Sequence, residues 1–320
     1  MDFVGNRRWF FIISALIIVA GLVSILIPPS FRIGIEFTGG SALSLSFSDR
    51  IDHEEVRLVL QGFGHDQALV QGLSGNAVLI RTRTLEGAQT DNATSNSSQS
   101  ERQRIEKALE ERFSPITTSE LFAVSPIIAK ETIRNAGIAV AIAALAILLY
   151  ITWAFRLVPN SFRMGGAAII AATHDVLVVL ALFSILGKFF NIEINAMFIT
   201  GILTVVGYSV HDTIVVFDRI RENTERKASR DLGTTINISI MQTLGRSLTT
   251  SLTTMAVLLA LLLLGGTTIQ SLLFTLLIGV ITGTYSSICI ASQVLIVWER
   301  REWLGPLRRR SPESSQPTSN

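Results

Sequence analysis

The sequence predicts a polytopic α-helical membrane protein with six transmembrane helices. It also predicts a small α+β domain of ferredoxin-like type (βαββαβ) outside the membrane, between the first and second helices. Of the 320 residues, 48% are hydrophobic and only 16% are charged, against about 25% charged residues in soluble domains. Six apolar segments approach or exceed the ~20 residues that a bilayer span requires. About 105 residues after the first segment show the alternating patterns of a folded domain.

The six predicted spans follow the apolar runs of the chain. They are Trp9–Ile27, Asn135–Phe155, Gly165–Leu186, Ala196–Phe217, Ser247–Leu264 and Ser271–Trp298. We interpret the first as an uncleaved anchor, because its apolar run exceeds that of a typical secretory signal and 27–30 is not a small-residue cleavage site. The last span is long enough to tilt in the bilayer or to end in an interfacial stretch.

The distribution of basic residues predicts the orientation. They precede the first span and follow the second, fourth and sixth spans: Arg7, Arg8, Arg156, Arg163, Arg219, Arg221, Arg226, Lys227, Arg230, Arg300, Arg301, Arg308, Arg309 and Arg310. The opposite connections hold only Lys188 or, in 265–270, no basic residue. Because cytoplasmic loops are rich in Lys and Arg, we expect both termini in the cytoplasm. The host is a cytoplasmic (inner or plasma) membrane, with a thylakoid-type membrane as the open alternative.

These patterns divide the chain into four parts. Residues 1–29 form a cytoplasmic N-terminus and the anchor, and 30–134 form the external α+β domain, with a flexible loop at 87–100. Residues 135–298 form the bundle of the other five spans, with a cytoplasmic loop at 218–245, and 299–320 form a basic and then disordered cytoplasmic tail.

Local periodicity predicts four strands and two helices in the external domain. Alternation over Ala42–Phe47 is typical of a half-buried strand, and Asp52 is suited to cap a helix that ends at Gly62 or Gly64. The other predicted elements are strands at Ala68–Val70, Ala77–Thr82 and Ser119–Val124 and a helix at Glu101–Phe113. This βαββαβ order fits a ferredoxin-like domain.

A glycine motif stands at the start of that domain, with Phe37, Gly39 and Gly40 as its main residues. Adjacent glycines permit positive φ and close approach of the backbone. Two interpretations remain open: a sharp turn from the first span into the first strand, or a direct contact with substrate.

The fourth span contains an aspartate, Asp212, in an apolar setting. A charged residue at the bilayer centre costs at least about 2.5–3.5 kcal/mol, so we expect this one to be used or paired. Helical spacing predicts a shared face for Gly201, Thr204, Tyr208, Asp212 and Val215. The fifth span opposes this face with Arg246 and a series of hydroxyl groups: Ser247, Thr249, Thr250, Ser251, Thr253 and Thr254.

Two roles remain open for Asp212 and Arg246. They form either a static pair that holds the bundle together or a proton-coupling site in which the arginine tunes the carboxylate. The hydroxyl-rich surroundings, which can order water, favour proton coupling. Asp175 in the third span serves either proton coupling or helix packing. The further proton-coupling candidates are His211, His174, Tyr208 and Thr250.

Other kinds of chemistry find no support in the sequence. No GxxxxGK[ST] loop indicates nucleotide hydrolysis, and the four histidines show no metal-ligand spacing. Cys289 is the single cysteine and cannot form an intramolecular disulfide. We therefore expect no enzymatic activity, metal, organic cofactor or nucleic-acid partner, and we expect the proton to be the coupling ion.

Four motifs make the chain similar to the SecF branch of the SecD/SecF family of protein-export translocase subunits, in the resistance–nodulation–division (RND) superfamily. They are FTGG at 37–40, HDVL at 174–177, the run at 207–223 that matches as GYSV at 207–210 and DTIVVFDRIREN at 212–223, and RSL at 246–248. The resemblance covers nearly the whole chain, and the run at 207–223 is highly specific to this family.

The resemblance implies an accessory Sec subunit that works with SecD and uses the proton motive force to promote late steps of polypeptide translocation. It implies SecD and the SecYEG channel as partners, with YajC and YidC as further candidates, besides the translocating polypeptide and membrane lipid. It also puts Asp212 and Arg246 at positions implicated in proton conduction.

Two departures from the family pattern accompany the resemblance. His211 stands where Asn is common, which predicts that export depends on pH between about 5 and 8 if this histidine titrates. The loop at 87–100 is longer than usual. Two alternatives also remain: a stand-alone RND-type proton-coupled efflux transporter and a non-transporting scaffold for SecD.

Overall fold

The computed structural model describes most of the chain in several stretches. They are residues 2–28, 31, 33–49, 51–66, 68–72, 76–83, 85, 101–156, 161–190, 192–229, 231–265 and 269–299. The predicted loop 87–100 and residues 300–320 of the predicted tail lie outside the described residues.

Among the described residues, six long apolar helices form the membrane part, as predicted. The helices are α1 (Arg7–Leu26), α5 (Pro126–Ala154), α6 (Ser161–Phe190), α7 (Ala196–Glu225), α8 (Leu232–Leu264) and α9 (Gln270–Ser286), the last continued by α10 (Ser292–Glu299). Between α1 and α5 lie the short helices α2 (Ile35–Thr38), α3 (His53–Gly62) and α4 (Glu101–Arg112). The chain is therefore a polytopic helical membrane protein.

The predicted loop at 218–245 is mostly helical, which corrects that prediction. Helix α7 continues to Glu225 and α8 already begins at Leu232. Ion pairs one turn apart, Arg221 with Glu225 and Arg226 with Glu222, accompany the polar end of α7. Such pairs support a helix surface in water, so the end of the apolar run does not end the helix.

We define the α+β domain as residues 33–124, and in its described part four antiparallel strands form the sheet. They are β1 (Gly40–Phe47), β2 (Leu69–Gly72), β3 (Ala77–Thr82) and β4 (Ile116–Val124), arranged in the order β2-β3-β1-β4. The strands and the helices α3 and α4 follow one another in the predicted order. The short helix α2, which precedes β1, was not predicted.

The core of this domain lies between the sheet and the helices α3 and α4. Alternate residues of β1, among them Leu43 and Leu45, are buried against Leu60 of α3 and Leu109 of α4. Asp52 caps α3 as predicted, since its carboxylate accepts a hydrogen bond from the backbone N–H of Glu54 at 3.0 Å.

The glycine motif forms the turn between α2 and β1. Gly39 has φ +73° and ends α2, while Gly40 has φ +128° and begins β1. A Cβ at Gly40 would lie 2.6 Å from the carbonyl oxygen of Thr82, and one at Gly39 would lie 3.1 Å from the backbone of Pro126. Both glycines are thus explained by the turn, and Phe37 is half-buried beside them.

Close contact between α7 and α9 forms the centre of the membrane bundle. Gly201 of α7 faces Thr275, and a Cβ there would lie 2.7 Å from that side chain. Gly279 of α9 lies directly against Val205 in the same way. Small residues allow helix backbones in a membrane to approach closely and gain van der Waals contact, so α7 and α9 form one tightly packed pair.

The last span contains a π-helical segment at Ser287–Ala291, between α9 and α10. This segment is buried, and its presence extends the sequence interpretation, which considered only a tilt or an interfacial end. A π-bulge adds one residue to a helical turn and is frequent at functional sites. Here it follows Ser286 directly.

We predict that Gly279→Ala lowers the free energy of unfolding by about 1–3 kcal/mol, because the added methyl group overpacks the contact with Val205. Reversible unfolding in detergent micelles measures the loss. Gly207→Ala is the matched control, since Gly207 lies inside α7 and a Cβ added there would have nothing within 4 Å. Equal stability of the two variants would contradict the proposed close packing.

Candidate functional site

Asp175 lies fully buried where α6, α7 and α9 meet. Its Oδ2 accepts hydrogen bonds from the hydroxyls of Ser209 at 2.5 Å and Ser286 at 2.7 Å. Its Oδ1 lies 3.0 Å from Nδ1 of His174, the preceding residue on α6. The carboxylate therefore connects three helices through side-chain hydrogen bonds.

Asp212 lies on α7 near α8, where it is partly buried. Its Oδ1 accepts a hydrogen bond of 2.7 Å from the hydroxyl of Ser247 on α8. Its Oδ2 is buried and has no hydrogen-bond partner among the described residues. The hydroxyl of Ser287 also lies beside this carboxylate. One oxygen of the side chain is thus hydrogen-bonded to α8, while the other is buried inside the bundle.

Hydroxyl groups extend the polar region on both sides of Asp212. Ser287 contacts Thr213 of α7 at 2.9 Å. Ser251 lies one turn beyond Ser247 on α8, and its hydroxyl contacts that of Thr284 on α9 and, at 3.2 Å, that of Tyr208 on α7. We call these groups, together with the two aspartates, the carboxylate–hydroxyl cluster: Asp175, Tyr208, Ser209, Asp212, Thr213, Ser247, Ser251, Thr284, Ser286 and Ser287.

Arg246 lies away from Asp212, in contrast to the pairing we expected. Among the described residues, no ion pair joins the two side chains. Arg246 is exposed and lines a cavity of about 480 Å³ with Asp218, Arg219 and Glu222 near the polar end of α7. Adjacent residues on a helix point about 100° apart, so with Ser247 facing Asp212 the side chain of Arg246 points elsewhere.

The other predicted candidates divide into two groups. Tyr208 and His174 belong to the polar interior, and Nε2 of His174 is buried without a hydrogen-bond partner in the described part of the chain. His211 is exposed on α7, about 100° from Asp212. Thr250 is also exposed, and its hydroxyl donates to the backbone carbonyl of Arg246.

The buried face of α7 is rotated relative to the predicted polar face. Thr204 was placed on that face, but it is exposed and its hydroxyl donates to the carbonyl of Thr200. Ser209 and Thr213 are instead the fully buried polar residues of this helix at the α9 contact. Tyr208 and Asp212 lie on the edge of the face that points to α8.

Three serines of the cluster were missed by the sequence reasoning: Ser209, Ser286 and Ser287. The available signal was the polar run TYSS at 284–287 inside the last apolar span. Hydroxyls in such a span are usually satisfied by the carbonyl one turn earlier, so the run alone does not identify partners. Only the packing of α9 on α6 and α7 shows what these serines contact.

The chemistry available to this cluster is proton binding and hydrogen bonding. No lysine or arginine side chain contacts either carboxylate, and no group of three metal-ligating side chains occurs among the described residues. Isolated buried charges in a membrane protein are costly and mark ion or proton pathways. The six-span fold with this interior defines a polytopic membrane protein with two carboxyl groups and a series of hydroxyl groups inside its helical bundle.

Comparison with known proteins identifies the family. The family described as "Protein export membrane protein SecD/SecF, C-terminal" matches residues 104–301. A protein translocase subunit SecF from Thermobaculum terrenum is 41% identical over 98% of this chain and 99% of its own length. One from Anaerolinea thermophila is 39% identical over 98% of this chain and 99% of its own length. The chain therefore belongs to the SecD/SecF family and is a subunit of the Sec protein translocase.

Solved structures agree with this assignment. The crystal structure of SecDF, a translocon-associated membrane protein from Thermus thermophilus, matches with a TM-score of 0.78 and 32% sequence identity. The match covers 94% of this chain and 39% of that chain. The protein translocase subunit SecDF of Bacillus subtilis is 32% identical over 94% of this chain, which corresponds to 38% of the larger protein.

We predict that Asp175→Ala lowers the free energy of unfolding by about 1–3 kcal/mol more than Asp212→Ala does, because it leaves the donors of Ser209, Ser286 and His174 without their acceptor. Asp212→Ala is the matched comparison, since that carboxylate is held chiefly by the single hydroxyl of Ser247. Unfolding in detergent micelles measures both losses. A larger loss for Asp212→Ala would show that Asp175 does not organise the bundle.

Proposed function

We propose that this subunit works with SecD and uses the proton motive force to promote late steps of polypeptide translocation. The observation that carries the proposal is the carboxylate of Asp212, which has one oxygen held by Ser247 and one buried oxygen without a partner among the described residues. A protonated carboxyl group becomes a hydrogen-bond donor as well as an acceptor. Uptake of a proton therefore changes what this side chain can bind in the α7–α8 contact.

The energy available is sufficient to switch a two-state arrangement of helices. Moving one elementary charge through 100 mV supplies about 2.3 kcal/mol. That energy changes the ratio of two conformations by about 50-fold. One proton per event at Asp212 is thus enough to bias the bundle between two packings.

Arg246 enters this mechanism as the alternative partner of Asp212. It lies next to Ser247 on α8, so a rotation of α8 by about 100° exchanges the serine for the arginine. Ionised Asp212 favours the arginine and neutral Asp212 favours the serine. Loss or gain of the proton then selects the rotation of α8. Asp175 is proposed as a second proton-coupling group, which senses the rearrangement through the serines of α7 and α9.

The remaining assignments follow from the family and the charge pattern. We propose SecD as the direct partner, supported by the SecDF relatives in which one longer chain contains a region similar to this one. SecYEG, the translocating polypeptide and membrane lipid complete the assembly, with YajC and YidC as further candidates. Both termini face the cytoplasm, and the α+β domain lies outside with a ferredoxin-like fold, which its sheet order supports. The proton is the coupling ion, and no cofactor or enzymatic step is proposed.

The two alternatives differ from this proposal in what they require. A stand-alone efflux transporter would extrude a small molecule without SecD, whereas a scaffold would keep SecD stable without any dependence on protons. Export assayed with and without a membrane potential, in membranes that contain or lack SecD, separates all three.

We predict that Asp212→Asn assembles normally but loses the part of export that depends on the proton motive force. Asparagine keeps the size of the side chain and its acceptor for Ser247, but it cannot take up a proton. Inverted membrane vesicles that contain the whole translocase measure ATP-driven export with and without a proton gradient.

Asp218→Asn is the matched control, because Asp218 lies on the same helix at its polar end and pairs with Arg221. This control should keep the stimulation by the gradient. Normal stimulation in Asp212→Asn would refute proton coupling at this residue, and failure to assemble would instead favour a purely structural role.

We predict that Arg246→Lys reduces the gradient-dependent part of export, because lysine keeps the charge but loses the planar guanidinium that binds a carboxylate through two bonds. The same vesicle assay, repeated across pH, measures the reduction. Arg156→Lys is the control, since Arg156 is an exposed arginine at the end of α5 that stacks on Trp153. If Arg246→Lys keeps the wild-type gradient-dependent export at every pH, Arg246 contributes only to the orientation of the chain in the membrane.

A further inference from the structure

The α+β domain meets the membrane bundle at the connection between α6 and α7. Glu193 in this connection pairs with Arg81 of β3, and the glutamate is 5% exposed. Beside this pair, the backbone N–H of Gly34 donates to the carbonyl of Ile194 at 2.8 Å, and Ile33 and Ile194 form a parallel β-bridge. We call these contacts of Ile33, Gly34, Arg81, Glu193 and Ile194 the domain joint.

The joint is connected directly to the helices that carry the carboxylate–hydroxyl cluster. Asn195 follows it at once and caps α7, since its side chain accepts from the backbone N–H of Phe198 at 3.0 Å. Ser271 at the start of α9 donates to the backbone carbonyl of Glu193 at 3.3 Å. The joint therefore holds the beginnings of both α7 and α9.

The α7–α9 pair offers a stiff connection from this joint to the cluster. Asp212 lies 16 residues after the start of α7, or about 24 Å along the helix axis. The close contacts of Gly201 and Gly279 along this length leave no room for the two helices to shift independently. The joint and the cluster therefore lie at two points along the same pair of packed helices.

Packing elsewhere between the domain and the bundle is incomplete. A cavity of about 770 Å³ lies next to the joint, lined among others by Ile35, Thr38, His65, Arg81 and Glu193. A close-packed interface transmits strain over its whole area, whereas this cavity removes such contact over part of the boundary. The packing of α2 on α5 and the short connection from β4 to α5 also attach the domain to the bundle, and the joint is the attachment that reaches α7 and α9.

We propose that Arg81 and Glu193 are positioning residues that couple proton uptake at Asp212 to movement of the α+β domain. The ion pair stays closed through the cycle, so that the domain follows the start of α7. Because the pair is buried, removal or reversal of one partner leaves an uncompensated buried charge, which is strongly unfavourable. Each of the two side chains therefore keeps the other in place. The inference rests on the proposed function, in which the proton at Asp212 selects the rotation of α8, and adds that this change in the α7–α8 contact displaces α7.

The test measures proton flow separately from the stimulation of export by that flow. Inverted vesicles that contain the whole translocase report two quantities: decay of an imposed pH gradient and the stimulation of precursor export by that gradient. We expect Arg81→Glu and Glu193→Arg each to lower the stimulation at least about fivefold, the usual lower range of coupling between sites, while proton flow continues. A variant that merely misfolds loses both quantities.

Charge exchange and a matched control complete the test. The double variant Arg81→Glu/Glu193→Arg restores an ion pair of opposite orientation and should recover stimulation. Arg83→Glu makes the same charge change at an exposed residue of the same cavity and should behave as the wild type. Normal stimulation in Arg81→Glu, or no recovery in the double variant, would overturn the proposal.

A disulfide across the joint tests whether it stays closed. Oxidised Ile33→Cys/Ile194→Cys should retain both proton flow and stimulation, since these residues already form a β-bridge. Loss of stimulation on oxidation would show that the joint opens, and failure to oxidise would show that the segments are not in contact; either result refutes the proposal.

Asp212→Asn, measured in parallel, distinguishes a failure of the proposed function from a failure of the proposed role of the joint. If this variant keeps proton flow and stimulation, the proposed function itself fails. If it loses both while Arg81→Glu is normal, only the joint fails.

Discussion

The burial of two carboxyl groups inside a membrane bundle is the constraint on which the rest of the structure depends. Asp175 is fully buried and Asp212 is partly buried, and neither contacts a lysine or arginine in the described chain. Their hydrogen bonds come from serine hydroxyls and His174 instead. Hydroxyl groups stabilise a carboxylate less than a cation does, so in this packing both groups are held by weaker interactions than an ion pair with lysine or arginine.

Close packing of α7 on α9 makes this arrangement specific. Glycines at the contact bring the helices together, and the π segment begins immediately after Ser286. As a result, two consecutive serines serve different groups: Ser286 donates to Asp175, while Ser287 contacts Thr213 and lies beside Asp212. The same contact extends to the starts of both helices, where Glu193 and Ser271 meet. The α7–α9 pair thus contributes side chains to the carboxylate–hydroxyl cluster and also holds the attachment of the α+β domain.

Much of the fold could be read from the sequence because its signals are local. Six apolar runs predicted the six spans found among the described residues, and the local residue pattern predicted β3 at Ala77–Thr82 with the boundaries that the structure has. Asp52 was recognised as a helix cap from its position alone. Predictions failed where an apolar run ends but the helix does not, as in α7 beyond Phe217, because helix length depends on polar contacts as well as hydropathy.

By itself the sequence determined the class of protein, the number of spans, the order of the strands and of α3 and α4 in the α+β domain, and the presence of two aspartates inside the bundle. Tertiary structure alone decided their partners. Ser247 rather than Arg246 contacts Asp212 because neighbours on α8 point about 100° apart and Ser247 is the one turned toward Asp212. Ser209, Ser286 and the pair of Arg81 with Glu193 came together only on folding. These contacts join residues 34 to 112 positions apart, and such separations leave no periodic signal in the chain.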